Sequence, residues 1–430
     1  MKKIKILIPK IRPPEISDYA TTQIREIILA LKNEYDVEEH WLIFQPDKVK
    51  TIHQENFHQI NYQDYEDATD ILKQINPDIV LVEGILGING ISFSLACKFL
   101  QIPIVSLFTT LGNFGSEKKW SRLFSNLRFL SLNKFGGDVK KEKKSFIVLR
   151  YSLLRYKFLL NTLTKINYNF FQKFKFILFY PRIQIFSRTK HTIHKIMDCD
   201  MNFCPTKSWS NKLISLGFNP SGILIVGNPS FDPFFNKLSK NTNSEISEKL
   251  EFLICTSPMH EHGHWTSKSE FLLIEKILRI LNKIPNSKIS IKIHPSTSDA
   301  NEYQIFLKQF PFTVNLYQKE NLTELMSKSS IVITYGDSTV SIFGVLLKKH
   351  MIHVNLASLP SWNLYFDSNL MLECKKIDHL PKLIEKSFLV KPNLKFYENY
   401  VEKNLGIFDG KCSTRIGKKI QELIEKNKLI

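Results

Sequence analysis

Three histidines fall within five residues in CTSPMHEHGHWT (255–266): His260, His262 and His264. The letters His260-Glu261-x-x-His264 match a metalloprotease pattern, which needs both imidazoles on one helical face. Gly263 inside the motif costs about 1 kcal/mol of helix propensity, and the segment follows a strand pattern. A loop lining a cleft is expected instead, with His260 as a donor-binding residue and His262 as a catalytic candidate; no metal site is expected. IKIHPSTSD (291–299) places His294 where Pro295 ends an apolar run, with Lys292 two residues before it. There His294 can donate to a phosphate, transfer a proton, or simply cap the strand. SIVITYGDSTVSIFGVLLKK (330–349) runs from an apolar stretch into Gly336, Asp337, Ser338 and Thr339 and then into a helical pattern. Small residues there leave first-turn N–H groups open to an anion, although an ordinary N-cap reads the same way. Glu83 closes NPDIVLVEG (76–84) and is the candidate general base. Asn228, in VGNPSFDPF, is a candidate donor ligand in a segment that turn chemistry also explains. DGKCST (409–414) lacks the upstream glycine of a phosphate-binding loop.

These residues need strands to hold them. IKILIP (4–9) reads as a strand buried on both faces, and Thr21–Leu31 carries the apolar spacing of a helix. Strands are expected at 36–44, 76–84 and 102–108, with helices at 65–75 and 91–100 between them. The alternation pauses near 114 and resumes at a helix over 189–197, a strand at 201–205, a helix at 207–216 and a strand at 223–229. A polar linker (237–249) precedes a second series, with strands at 251–256, 288–295, 312–317, 330–336 and 351–356. Helices at 269–282, 299–309, 321–328 and 338–348 alternate with them, and one near 414–426 closes the chain. Alternation of this kind marks doubly wound parallel sheets, which bind ligands at the carboxyl ends of their strands. The expectation is two Rossmann-like domains facing a cleft: 1–225 with an insertion at 114–188, 226–400, and a terminal helix, 401–430, returning to the first domain.

The chain has 430 residues and a net charge of +18. Residues 116–180 hold fifteen Lys and Arg against three acids, two-thirds of the net charge, and fifteen aromatics, mostly Phe. This pattern suits helices lying on an anionic membrane surface, or an insertion packed on its own domain; nucleic acid is not expected as a partner. Residues 84–116 carry a single charge, Lys98, but glycines and Pro103 interrupt them, so no membrane span is expected. The Met1–Ile11 segment lacks the apolar stretch of a signal peptide. Six cysteines without CxxC spacing exclude a disulfide scaffold and suit a cytoplasmic protein, peripheral on the inner membrane face.

In their order, these pieces resemble the GT-B superfamily, in particular non-hydrolysing UDP-N-acetylglucosamine 2-epimerases and surface-polysaccharide transferases. PDIVLVEG through IPIVSLF (77–108) resembles the third and fourth strand units of the epimerase N-domain. Residues 201–232 are similar to the segment that crosses between domains, IKIHP and 337–349 to the elements holding the nucleotide diphosphate, and 408–424 to the closing helix. The chain departs from the epimerase pattern at Ile85, at Leu107–Leu111 and at Arg182, where the family carries acidic elements, and its ribose-gripping Glu falls near Phe343. The stretch 337–350 also resembles CDP-glycerol-dependent polymerases. The resemblance with these departures implies a metal-independent glycosyltransferase without a cofactor. Its donor is a nucleotide sugar, a UDP-sugar first, and its acceptor a polysaccharide or lipid-linked glycan. A 2-epimerase, a glycerophosphotransferase and a silent nucleotide-sugar-binding relative are the alternatives.

Overall fold

The computed structural model describes residues 1–10, 13–14, 19–44, 51–83, 88–107, 153–174, 199–215, 217–235, 250–261, 265–295, 298–336, 340–356, 369, 371–390, 399 and 406–429. They form two compact units, Met1–Pro233 with Glu402–Ile430, and Phe234–Val401.

Unit 1 is built on an eight-stranded sheet: β1 (Lys2–Lys10), β2 (Tyr35–Ile43), β3 (Ile52–Gln54), β4 (Phe57–Asn61), β5 (Ile79–Glu83), β6 (Ile104–Leu107), β7 (Met201–Cys204) and β8 (Ile223–Ile225). Their order is β3-β4-β2-β1-β5-β6-β7-β8, and every pairing is parallel except β3 with β4. Ile4, Ile6, Leu7 and Ile8 have no exposed surface, because helices cover both faces of β1. On one face Leu7, Leu42 and Val80 pack with Phe93, and residues 153–166 of the expected insertion join them: Phe158, Leu159 and Leu163 are buried among Phe44, Tyr62 and Phe93. That part of the segment is core rather than membrane-facing surface. On the other face helix Tyr19–Lys32 packs with the terminal helix Cys412–Lys428 through Ile24, Ile27, Leu31, Ile416, Ile420 and Ile424. Residues 116–152 and 175–180 of the basic segment, helix 189–197 and linker 237–249 lie outside the described residues.

Unit 2 holds a parallel six-stranded sheet, β9 (Leu250–Cys255), β10 (Ser287–Lys292), β11 (Val314–Tyr317), β12 (Ile331–Tyr335), β13 (His350–Val354) and β14 (Met371–Cys374), in the order β11-β10-β9-β12-β13-β14. The chain steps outward from β9 to β11 and then returns to the other side of β9 as β12. The change of direction opens a crevice between β9 and β12 at their carboxyl ends. In unit 1 the same switch falls between β1 and β5.

Several boundaries move for local reasons. The helix expected from residue 65 starts at Ala68, because the Asp67 carboxylate accepts from the Thr69 and Asp70 N–H groups and fixes the first turn there. Strands β3, β4 and β14 and helix Leu380–Leu389 were not expected. Residues 226–233, expected in the second domain, belong to unit 1. The Asp232 carboxylate accepts from the backbone N–H groups of Cys412 (3.0 Å) and Ser413 (2.7 Å) and from the Ser413 hydroxyl, tying this segment to the terminal helix. Among the described residues, no helix is long and apolar enough to cross a membrane.

Candidate functional site

The switch point of unit 2 gathers side chains from three strand ends. β9 runs into Thr256 and Ser257, then into a turn that carries Met259, His260 and Glu261. The Thr256 N–H donates to the Lys292 carbonyl and holds this exit beside β10. Gly336 follows β12 with φ +66°, and a Cβ there would stand 2.7 Å from Met259 Sδ and 3.1 Å from Ser257 Cβ. Glycine is thus required both by backbone conformation and by the close approach of the two exits. Thr256 and Ser257 are buried; the Ser257 hydroxyl has no hydrogen-bond partner, while the Thr256 hydroxyl lies against the buried Tyr303 hydroxyl. Buried polar atoms are nearly always satisfied, so an open Ser257 hydroxyl at a strand-end crevice suits a place where a polar ligand sits.

Behind them lies a charged cluster. Glu270, with no exposed surface, accepts from the Tyr335 hydroxyl at 2.6 Å, from His260 Nδ1 at 2.7 Å and from the His260 backbone N–H at 3.0 Å. Glu261 lies 3.2 Å from His260 Nδ1 and takes a hydrogen bond from Ser298, while Glu302 lies 3.6 Å from His260 Nε2. Burial works against a charged His260, but the bond to Glu270 and the three carboxylates outweigh it and raise its pKa above the ordinary value. Burial first, and then the Glu270 and Tyr303 neighbours, push the Tyr335 hydroxyl far above its usual range. The donor atoms of His260, Glu261 and Glu270 lie within 4.8 Å of one another, close enough for a cation. Glu270 already spends both oxygens on the tyrosine and the imidazole, whereas Glu261 Oε2 is buried without a hydrogen-bond partner.

The sequence candidates divide unevenly. His260 belongs to this cluster, and its turn is not the helix a metalloprotease would need. Lys292 is buried, and its ammonium donates to the Gln318 carbonyl at 2.6 Å, with burial lowering its pKa. His294 sits half-buried just past β10, and Gly336 just past β12. His262, Asp337, Ser338 and Thr339 lie outside the described residues. Asn228 lies in unit 1, where its Oδ1 accepts from Gln23 at 2.7 Å and from the Ser230 N–H and hydroxyl; it fixes a turn there. Glu83 occupies the unit 1 switch point, 3.9 Å from the buried Lys10 ammonium, which also donates to Thr21 at 2.6 Å. Sequence reading passed over Lys10, Thr256, Ser257, Glu270, Tyr303 and Tyr335. Lys10, Thr256, Ser257 and Tyr335 each stand at the end of an apolar strand run, which was the available signal; Glu270 and Tyr303 lie inside helices and gave none.

Residues 189–355 match the family model for UDP-N-acetylglucosamine 2-epimerase. None of the curated proteins matches the chain. Among solved structures, the S. aureus MnaA–UDP co-structure superposes with a TM-score of 0.54 at 13% identity, covering 99% of this chain and 97% of that one. UDP-GlcNAc 2-epimerase from Neisseria meningitidis bound to UDP-GlcNAc gives 0.53 at 15%, covering 97% and 100%. The kitacinnamycin glycotransferase gives 0.52 at 10%, covering 98% and 100%. The fold is GT-B. The resemblance read from the residues therefore holds: two parallel-sheet α/β units of GT-B type, with 2-epimerase likeness strongest over 189–355.

Proposed function

We propose that this chain is a UDP-sugar enzyme of the 2-epimerase type, which receives the nucleotide diphosphate at the carboxyl ends of β9, β10 and β12. The observation that carries this reading is the 2-epimerase match over 189–355, which contains the switch-point residues Thr256, Ser257, His260, Glu261, His294 and Gly336. It favours the 2-epimerase alternative over the glycosyltransferase expected from the sequence. In this reading the Ser257 hydroxyl, with Thr256 beside it, donates to phosphate oxygens, and His260, whose pKa its carboxylate neighbours raise, stands in the same turn. Inversion at C2 breaks one C–H bond and remakes it on the opposite face, which needs a base and an acid. Glu83 is the carboxylate this reading assigns to proton transfer. In this reading the residues named supply binding and proton transfer, and the nucleotide sugar is substrate.

Incubation with UDP-N-acetylglucosamine in deuterated water tests the reading. An epimerase incorporates deuterium at C2 and forms the C2 epimer without an acceptor; Glu83→Gln lowers that rate about a hundredfold or more. No exchange, with UDP released only when a glycan acceptor is added, would overturn it in favour of the transferase. That second reading is favoured by the non-acidic residues at Ile85, Leu107–Leu111 and Arg182. The exposed rings of Phe170, Phe171 and Phe174 support, for either reading, peripheral contact with a membrane carrying the acceptor or product. Flotation with anionic vesicles checks that contact.

A further inference from the structure

Unit 1 carries a second group of chemistry-bearing side chains, set toward the amino-terminal ends of its strands rather than at the switch point. Parallel pairing puts His40 of β2 level with His58 of β4, and antiparallel pairing puts His53 of β3 level with His58. Three imidazoles therefore lie in a row across adjacent strands, and Glu38, two residues before His40, shares their face. His40 and His58 stack nearly parallel, with centroids 4.6 Å apart, and both turn Nε2 toward Glu38 Oε1, at 2.7 and 3.6 Å. His53 meets the other nitrogen of His58, Nδ1 to Nδ1, at 3.2 Å.

We propose that Glu38, His40 and His58 form a binding site for a divalent transition-metal ion of the zinc type. Two imidazole nitrogens and one carboxylate oxygen are the donor set such ions take, with the fourth position left to water. The three donor atoms lie within 4.8 Å of one another. Their closer separations bracket the about 3.3 Å expected between ligand atoms held about 2.0–2.1 Å from a tetrahedral ion. The His53–His58 contact supplies the outer hydrogen bond that fixes the tautomer and ring of a ligating histidine. Glu38 stays ionised: burial opposes it, but the Lys3 and His40 hydrogen bonds and the Lys5 charge bring its pKa down to about 2.

Lys3 and Lys5 of β1 are the competing cations. Lys3 lies 2.9 Å from Glu38 Oε2, and Lys5 lies 3.8 Å from Oε1. The Lys3 side chain is half exposed, so it can yield to an ion by swinging into water. As the ion arrives, the single ring proton of His40 shifts from Nε2 to Nδ1, freeing the lone pair that binds.

The test uses the full chain, stripped with chelator and titrated calorimetrically with Zn2+ alone, with Co2+ absorption as a second reading of coordination. One equivalent binds, the melting temperature rises, and Co2+ develops the intense visible bands of a four-coordinate site. His40→Gln/His58→Gln loses that equivalent, and Glu38→Gln weakens it at least tenfold. His53→Ala, which removes only the outer contact, weakens it less. If the double variant does not fold, Glu38→Gln and the single His58→Gln variant carry the test. Unchanged stoichiometry and affinity in these variants, or no saturable binding to the wild type, would overturn the proposal. None of these readouts depends on epimerase activity.

Discussion

Glu270 is a carboxylate with no exposed surface, held by two side chains that approach from opposite directions in sequence. Tyr335 lies 65 residues later and His260 ten residues earlier. Removing a donor from a buried charge leaves that charge poorly satisfied, so Tyr335→Phe should lower stability by about 1–3 kcal/mol, read by urea unfolding. His260 adds a pH dependence of known sign. Its pKa is higher in the folded state than the ordinary 6.5, so the folded chain binds the proton more tightly. The stabilisation it gives is complete below the unfolded value and is lost as pH rises through the folded value. His260→Ala should flatten stability across that alkaline limb. Glu38 behaves oppositely: with a folded pKa of about 2 against 4.5, its contribution is complete above 4.5 and is lost as pH falls toward 2. Acid titration of Glu38→Gln beside the wild type should show a shallower loss over that interval.

The terminal helix shows how one element depends on a few contacts far away in sequence. Its own N-cap, Lys411, makes no side-chain cap bond; Asp232 does that work from 180 residues away, accepting from the first two N–H groups. Asp232→Ala should cost about 1–2 kcal/mol and expose the last helix to early proteolysis. Gly227 is the second anchor, with φ +83° and a missing Cβ position filled by the Ile407 carbonyl and Cys412 Sγ. Gly227→Ala must displace backbone, not a flexible side-chain end, and should destabilise unit 1 more than Asp232→Ala in the same melt. Elements of this kind were legible in sequence where burial dictated the pattern. IKILIP and SIVITYG are covered on both faces and read as continuous apolar runs. β3 and β4, IHQ and FHQIN, are short and half polar at a sheet edge, so periodicity gives no signal for them. The tie between 226–233 and the terminal helix is a matter of capping across the fold, which no local window contains.

At the scale of the molecule, each unit has its own core and its own switch point, and strand order explains why the candidate site was only partly readable. His260, His294 and Gly336 stood out because each follows an apolar run, and strand ends are visible in sequence. Glu270 lies inside a helix and Tyr303 inside another, and only the parallel sheet brings them behind the turn at 259–261. The topology also makes the nucleotide's location testable without assigning the reaction. If the diphosphate sits in the crevice between β9 and β12, UDP alone should bind and stabilise the chain, since a ligand of the native state shifts unfolding by mass action. Amide exchange should slow at 255–257, 259–261, 293–294 and 335–336, the strand ends that line the crevice, while the unit 1 strand β2 should exchange as before. Ser257→Ala should leave the protection pattern of unit 1 untouched and weaken UDP binding about tenfold, the loss expected for one hydrogen bond to a charged group. Protection confined to the carboxyl ends of β1 and β5, with Ser257→Ala binding UDP like the wild type, would move the nucleotide to the Lys10–Glu83 switch point and reverse the roles given to the two units.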